Sequence, residues 1–177
     1  YNVFILDYSV GDEAGALNPL LEMSDALIKI RSHALAWMCD PTRVAVIGFS
    51  AGAHLAASIA ILHDHPKVTG VQKIVDENNR PDAAILCYPV INDHQGSMDL
   101  VSGNDEELRN LMMLDRHVTE NAVPAFIWHT MTDGSVPVEN SLDLIRAYRA
   151  AGVACEAHLF ESGDHGLSMC TEEVGTP

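Results

Sequence analysis

Basic residues are scarce: Lys and Arg total 10 against 25 Asp and Glu, for a formal net charge of −15. That balance repels a nucleic-acid backbone and an anionic membrane surface, so neither is expected as a partner. Long apolar runs are also missing. The longest nearly apolar stretch, Ala51–Leu62, has 12 residues and contains His54, well short of the ~20 that a membrane-spanning helix needs. Cysteine is sparse and unpatterned. Cys39, Cys87, Cys155 and Cys170 form no C-x-x-C pair and no ligand-like spacing, which reads as reduced thiols in a cytoplasmic protein. No signal peptide opens the chain, but it begins at Tyr1 without a methionine, so a preceding segment and an export signal stay open.

What is present is globular in composition, with 47% hydrophobic and 20% charged residues over 177 positions. At ~150 residues per domain, residues 1–177 are read as a single domain. Short apolar runs alternate with longer helical patterns. Strands are expected at 1–8, 43–49, 83–88, 125–129 and 154–160, the third stopping at Pro89 and the fourth entered through Pro124. Apolar residues at Leu20, Met23, Leu27, Ile30, Ala34 and Met38 predict a helix over 19–38. Further helices are expected at 51–62 and at 137–151, the latter stopped by Gly152. Strands apolar on both faces and separated by helices predict an α/β fold, a parallel sheet covered on each side.

In such sheets the working site lies beyond the carboxyl ends of the strands, and three of those ends carry reactive residues. Gly48-Phe-Ser-Ala-Gly52 is a G-x-S-x-G between a strand and a helix. Small residues beside Ser50 permit the cramped turn that lifts its hydroxyl above the sheet, and the next backbone N–H, on Ala51, can serve as an oxyanion donor. A serine hydroxyl needs a base, itself oriented by an acid. His165, in Ser162-Gly-Asp-His-Gly166 just after the last strand, is the expected base. Asp133, before Gly134 and after the fourth strand, is the expected acid, with Glu139 and Asp164 as rivals and turn capping as its simpler use.

Other residues read more plainly. His54 is expected to be a packed or hydrogen-bonded histidine. His63-Asp-His65 has the look of a metal pair without a third ligand and is read as a helix end. Asp105-Glu-Glu107 reads as the acidic first turn of a helix. Met112, Met113 and Leu114 fit either a core or an acyl pocket.

Three blocks together resemble the esterase/lipase branch of the α/β hydrolases, which includes carbohydrate acetyl esterases and small-ester carboxylesterases. They are Gly48-Phe-Ser-Ala-Gly-Ala-His-Leu-Ala56, Trp128-His-Thr-Met-Thr-Asp-Gly-Ser-Val-Pro-Val-Glu-Asn-Ser141 and Phe160-Glu-Ser-Gly-Asp-His-Gly-Leu-Ser168; Val3-Phe-Ile-Leu-Asp-Tyr8 and Tyr88-Pro-Val-Ile91 are similar as well. The resemblance implies an α/β-hydrolase fold in which Ser50, Asp133 and His165 match nucleophile, acid and base. Two departures stand out. Ala53 occupies a place where relatives often carry glycine. In addition, nothing here matches the His-Gly-Gly-Gly-like oxyanion loop that ends an earlier strand in the family. That strand would lie between residues 1–8 and 43–49, so a vacant slot in the sheet and an N-terminally incomplete domain are expected.

The functional expectation is a serine ester hydrolase working through an acyl-enzyme, without a metal or organic cofactor. The resemblance implies a small-molecule ester with a short acyl group, such as acetyl on a saccharide. The alternatives are a hydrolase-fold protein that binds without catalysis and a serine peptidase of the same fold. The sequence sets no oligomeric state.

Overall fold

The computed structural model describes residues 1–15, 17–72, 74, 76–94, 98 and 105–171. Four strands, β1 (Ala45–Phe49), β2 (Ala83–Cys87), β3 (Ala125–Thr130) and β4 (Cys155–Phe160), form one parallel sheet in the order β1-β2-β3-β4. Among the described residues five α-helices accompany them: α1 (Asn18–Ser32), α2 (Ala51–Leu62), α3 (Pro66–Thr69), α4 (Glu106–Met112) and α5 (Glu139–Ala151).

Register decides which side chains share a face. Val46, Ala84, Ala125 and Cys155 are aligned across the sheet, as are Gly48, Leu86 and Ile127. Side chains alternate along a strand, so these residues point to one side, where they join a single core with α1, α2 and α5. Helix α2 fills the centre of that core. Every residue from Ala53 to Leu62 is buried, as expected of a helix that is apolar all round, and its alanines let it lie close against β1 and β2. Helix α5 contributes the fully buried Leu144 and Tyr148. It ends as the sequence predicts, with Gly152 at φ +72° donating its N–H to the Arg149 and Tyr148 carbonyls.

Residues 1–8, expected as a strand, are not in the sheet. A strand exists through its ladder, and among the described residues nothing pairs with the outer edge of β1. Tyr1, Val3 and Ile5 are exposed, and the segment is tied down instead by Asn2 Nδ2–H to the Trp37 carbonyl and by Ser9 to the Glu22 carboxylate. The α1 helix is also shorter than its apolar pattern suggested. It stops at Ser32, and Leu35 and Met38 are exposed on the turns that follow because the core ends at Ala34. Helices were expected on both faces; among the described residues they gather on one. The opposite face carries Phe49, Ile85, Phe126 and Trp128 around Cys87, and Ile47 at its edge is exposed.

Candidate active site

Because all four strands run the same way, the loops after β1, β3 and β4 open onto one rim. Ser50 follows β1 directly and is the N-cap of α2, at φ +54° and ψ −119°. For a residue with a side chain that backbone is strained. It is held from both directions: Ser50 N–H donates to the Cys87 carbonyl at 3.0 Å, and the Ser50 carbonyl accepts from Ala53 and His54 at 3.0 and 3.1 Å. The hydroxyl makes no capping bond to α2. It points instead to Nε2 of His165, 2.8 Å away.

His165 sits in a loop with glycines on both sides, Gly163 at φ +145° and Gly166 at φ +86°. A Cβ on Gly163 would fall 2.8 Å from the Thr130 methyl carbon, so the chain can pass there only without a side chain. Thr130 Oγ1–H donates to the Gly163 carbonyl at 2.8 Å, and Thr132 Oγ1 accepts from Gly163 N–H at 2.9 Å. The end of β3 thus braces the loop that carries the imidazole.

Asp133 Oδ2 accepts from His165 Nδ1 at 2.7 Å. Since a carboxylate only accepts, the proton lies on Nδ1, and Nε2 is left free to accept from the Ser50 hydroxyl. The other carboxylate oxygen, Oδ1, takes the N–H groups of Ser135 and Val136, both at 2.9 Å. Burial pushes the Asp133 carboxyl up, but the bonds from Val136, His165 and Ser135 outweigh it and hold the group below the usual carboxylate range. The carboxylate is therefore ionised where it meets the imidazole. Of the two rivals, Glu139 opens α5 and Asp164 directly precedes His165; the His165 Nδ1–H donates to Asp133 instead.

One residue of this site went unread in the sequence. His129, fully buried at the end of β3, has Nε2 at 2.9 Å from the Val136 carbonyl and at 3.3 Å from Asp133 Oδ2, while Nδ1 is 2.8 Å from Ser141 Oγ. A carbonyl can only accept, so Nε2 carries the proton and Nδ1 accepts from the serine hydroxyl. Burial pushes this imidazole toward its neutral form. The available signal was a histidine inside an otherwise apolar strand, four positions before the acid.

The remaining candidates fall into place. His54 is buried and donates Nδ1–H to the Val90 carbonyl at 3.0 Å, tying the segment after β2 to α2; burial takes its pKa down to about 4. His65 Nδ1 caps α3 by accepting from Lys67 N–H, and Asp64 accepts from Asn121 Nδ2. Asp105 caps α4 through Leu108 N–H at 2.9 Å, with Glu106 and Glu107 in the first turn. Met112, Met113 and Leu114 pack into the main core with Ile91, Val123 and Leu144, so packing is their role here. The Ala51 N–H lies in the first turn of α2, where amides have no partner within the helix.

A family profile described as BD-FAE matches residues 1–148. Endo-1,4-beta-xylanase B of Butyrivibrio fibrisolvens is 34% identical over 182 residues, covering 97% of this chain and 28% of its own length. An acetylxylan esterase of Xylanibacter ruminicola is 30% identical over 165 residues, covering 86% of this chain and 32% of its own. Among solved structures, the acetyl ester-xyloside bifunctional hydrolase of Caldicellulosiruptor lactoaceticus superposes with a TM-score of 0.81 at 35% identity, covering 93% of this chain and 62% of that one. The chain thus spans about a third of its curated relatives and under two-thirds of this solved neighbour.

Proposed function

The chain belongs to the BD-FAE family and has an α/β-hydrolase fold, and from that premise we propose that it is a serine carboxylic-ester hydrolase acting on short acyl esters, acetyl groups on xylan-type saccharides foremost. The observation that carries this reading is the unbroken hydrogen-bond chain from Ser50 Oγ through His165 to Asp133, at 2.8 and 2.7 Å. The names of the relatives, an acetylxylan esterase and an acetyl ester-xyloside hydrolase, support the choice of substrate class.

Ser50 Oγ attacks the ester carbonyl carbon while its proton passes to His165 Nε2. The imidazolium that results is stabilised by the ionised Asp133, which also keeps Nδ1 protonated throughout. The tetrahedral oxyanion takes the Ala51 N–H as one of its donors. Collapse breaks the bond to the alcohol oxygen, which leaves with the proton from Nε2. Water then attacks the acyl-serine, giving its proton to Nε2, and the second collapse returns that proton to Ser50 and releases the carboxylic acid. Every proton passes through His165 Nε2, between Ser50, the leaving alcohol and water, and Asp133 takes none.

The deciding experiment combines active-site labelling with a substrate panel. A serine-directed phosphonate should attach to Ser50, as mapped by mass spectrometry, and p-nitrophenyl acetate should be turned over faster than longer acyl esters or peptide anilides. Preference for the anilides would make the protein a peptidase. Neither labelling nor turnover would leave a binding protein on a hydrolase fold.

A further inference from the structure

Between β2 and Pro89 stands a residue that the reaction scheme leaves unused. Tyr88 is buried, yet its backbone sits at φ +41°, in the left-handed region. Bulky side chains rarely occupy that region, and such outliers gather where the surroundings over-determine the position. Four contacts do so here. Tyr88 N–H donates to the Trp128 carbonyl at 2.8 Å. Its ring meets Trp128 edge-on at a centroid distance of 5.0 Å and lies 6.1 Å from Phe49. Its hydroxyl accepts from the Ser168 N–H at 3.0 Å.

The same ring packs edge-to-face on His165, with centroids 4.9 Å apart and planes at 72°. That arrangement suits two aromatic quadrupoles and restricts rotation of the imidazole about its own axis. The geometry has two separate handles: the ring sets the plane of His165, and the hydroxyl pins the chain three residues further on. The need is evident in the loop itself. Gly163 and Gly166 flank His165, and Ser168 and Cys170 also have positive φ, so local backbone preference gives the imidazole little support. Thr130 and Thr132 brace the loop at Gly163, on the side before His165. Tyr88 braces it on the side after. Burial pushes the phenol's pKa up, which keeps the hydroxyl neutral while the site works.

We propose that Tyr88 is a positioning residue, holding the His165 imidazole in the plane that lets Nδ1 meet Asp133 and Nε2 meet Ser50 at the same time. This rests on the esterase reading for its consequence in turnover, but not for its geometry. Tyr88→Phe removes the Ser168 bond and keeps the ring; Tyr88→Leu removes both.

The test measures kcat and KM with p-nitrophenyl acetate alongside the far-downfield proton resonance of His165 Nδ1–H, which reports the bond to Asp133 without needing substrate. Tyr88→Phe should lower kcat by roughly threefold to tenfold and Tyr88→Leu by about 10²-fold, the scale set by small misplacements of catalytic groups. KM should stay within about twofold in both, since the buried side chain offers a substrate almost no surface. The resonance should weaken in the Phe variant and vanish in the Leu variant. Wild-type kcat with an unchanged resonance in folded Tyr88→Leu overturns the proposal; should that variant fail to fold, the same result in Tyr88→Phe overturns it. If the wild-type protein neither labels at Ser50 nor turns over esters, the esterase reading falls. The resonance then decides Tyr88 by itself: present in wild type and lost on substitution supports the proposal, and unaltered or absent in wild type sinks it.

Discussion

Gly48 and Gly52 lie so close that a Cβ added to Gly48 would stand 2.6 Å from the Ala53 nitrogen and nearer still to the Gly52 carbonyl. This contact is what allows α2 to start against the end of β1 and leaves Ser50 on a turn with no slack. The neighbours are backbone atoms in a buried helix and cannot swing aside. Gly48→Ala should therefore destabilise the protein by about 1–3 kcal/mol, the usual penalty of overpacking, and should slow phosphonate labelling of Ser50 beyond what the lost folded fraction explains. Urea unfolding and labelling rates on the same sample check both. Labelling that tracks stability alone would mean the turn does not govern the serine.

Ser50 Oγ and His165 Nε2 are hydrogen-bonded at 2.8 Å, so under the proposed mechanism their contributions should not add. Ser50→Ala and His165→Ala should each remove most of the turnover, and the double variant should be little worse than either single one, as in triads that act as a unit. The measurement is kcat/KM on p-nitrophenyl acetate for the three variants. Multiplying losses would break the assignment of these two residues to one machine.

Much of this was legible in the sequence because the informative signals were local. Gly48-Phe-Ser-Ala-Gly52 sits on a strand–helix junction whose cramped geometry demands small residues, and the helix over 51–62 appears with the bounds expected of it. Asp133 and His165 come from asking which strand ends could meet Ser50, and the structure joins the three by hydrogen bonds. What the sequence hid depends on partners. Residues 1–8 have the composition of a strand, but pairing lies outside the segment itself. Residues 35–38 kept a helical apolar spacing after the core had ended. His129 and Tyr88 were read only as members of blocks that resemble the family, because the contacts they make with Val136, Ser141 and Ser168 are encoded by no local pattern.

A pH signature follows from His54. Its pKa falls from 6.5 to about 4 in the folded protein because burial disfavours the charged form. Between those values the unfolded chain binds a proton that the folded one refuses, so stability is full above pH ~6.5 and is lost progressively as pH falls toward 4. The shift corresponds to about 3 kcal/mol across that window. His54→Asn, which keeps a donor near the Val90 carbonyl, should be less stable at neutral pH but lose less on acidification. Urea midpoints at several pH values between 7.5 and 4 would measure this; parallel curves for variant and wild type would show that the acid sensitivity lies elsewhere.

The His129 Nε2 lies 3.3 Å from the Asp133 carboxylate, and replacing the imidazole should separate packing from orientation. In His129→Phe the Val136 carbonyl and the Ser141 hydroxyl both lose their partner in a fully buried place, at about 1–3 kcal/mol for each group left unsatisfied. The loop that presents Asp133 then loses the tie between its Val136 carbonyl and the end of β3, so kcat should fall by roughly tenfold or more through misplacement of the carboxylate. His129→Gln can place an amide N–H near the position of Nε2 and should restore a good part of the turnover while recovering less of the stability, since the Ser141 bond is not remade. Comparing kcat with the unfolding midpoint in the two variants tests this, because a purely structural histidine would let turnover follow the folded fraction in both.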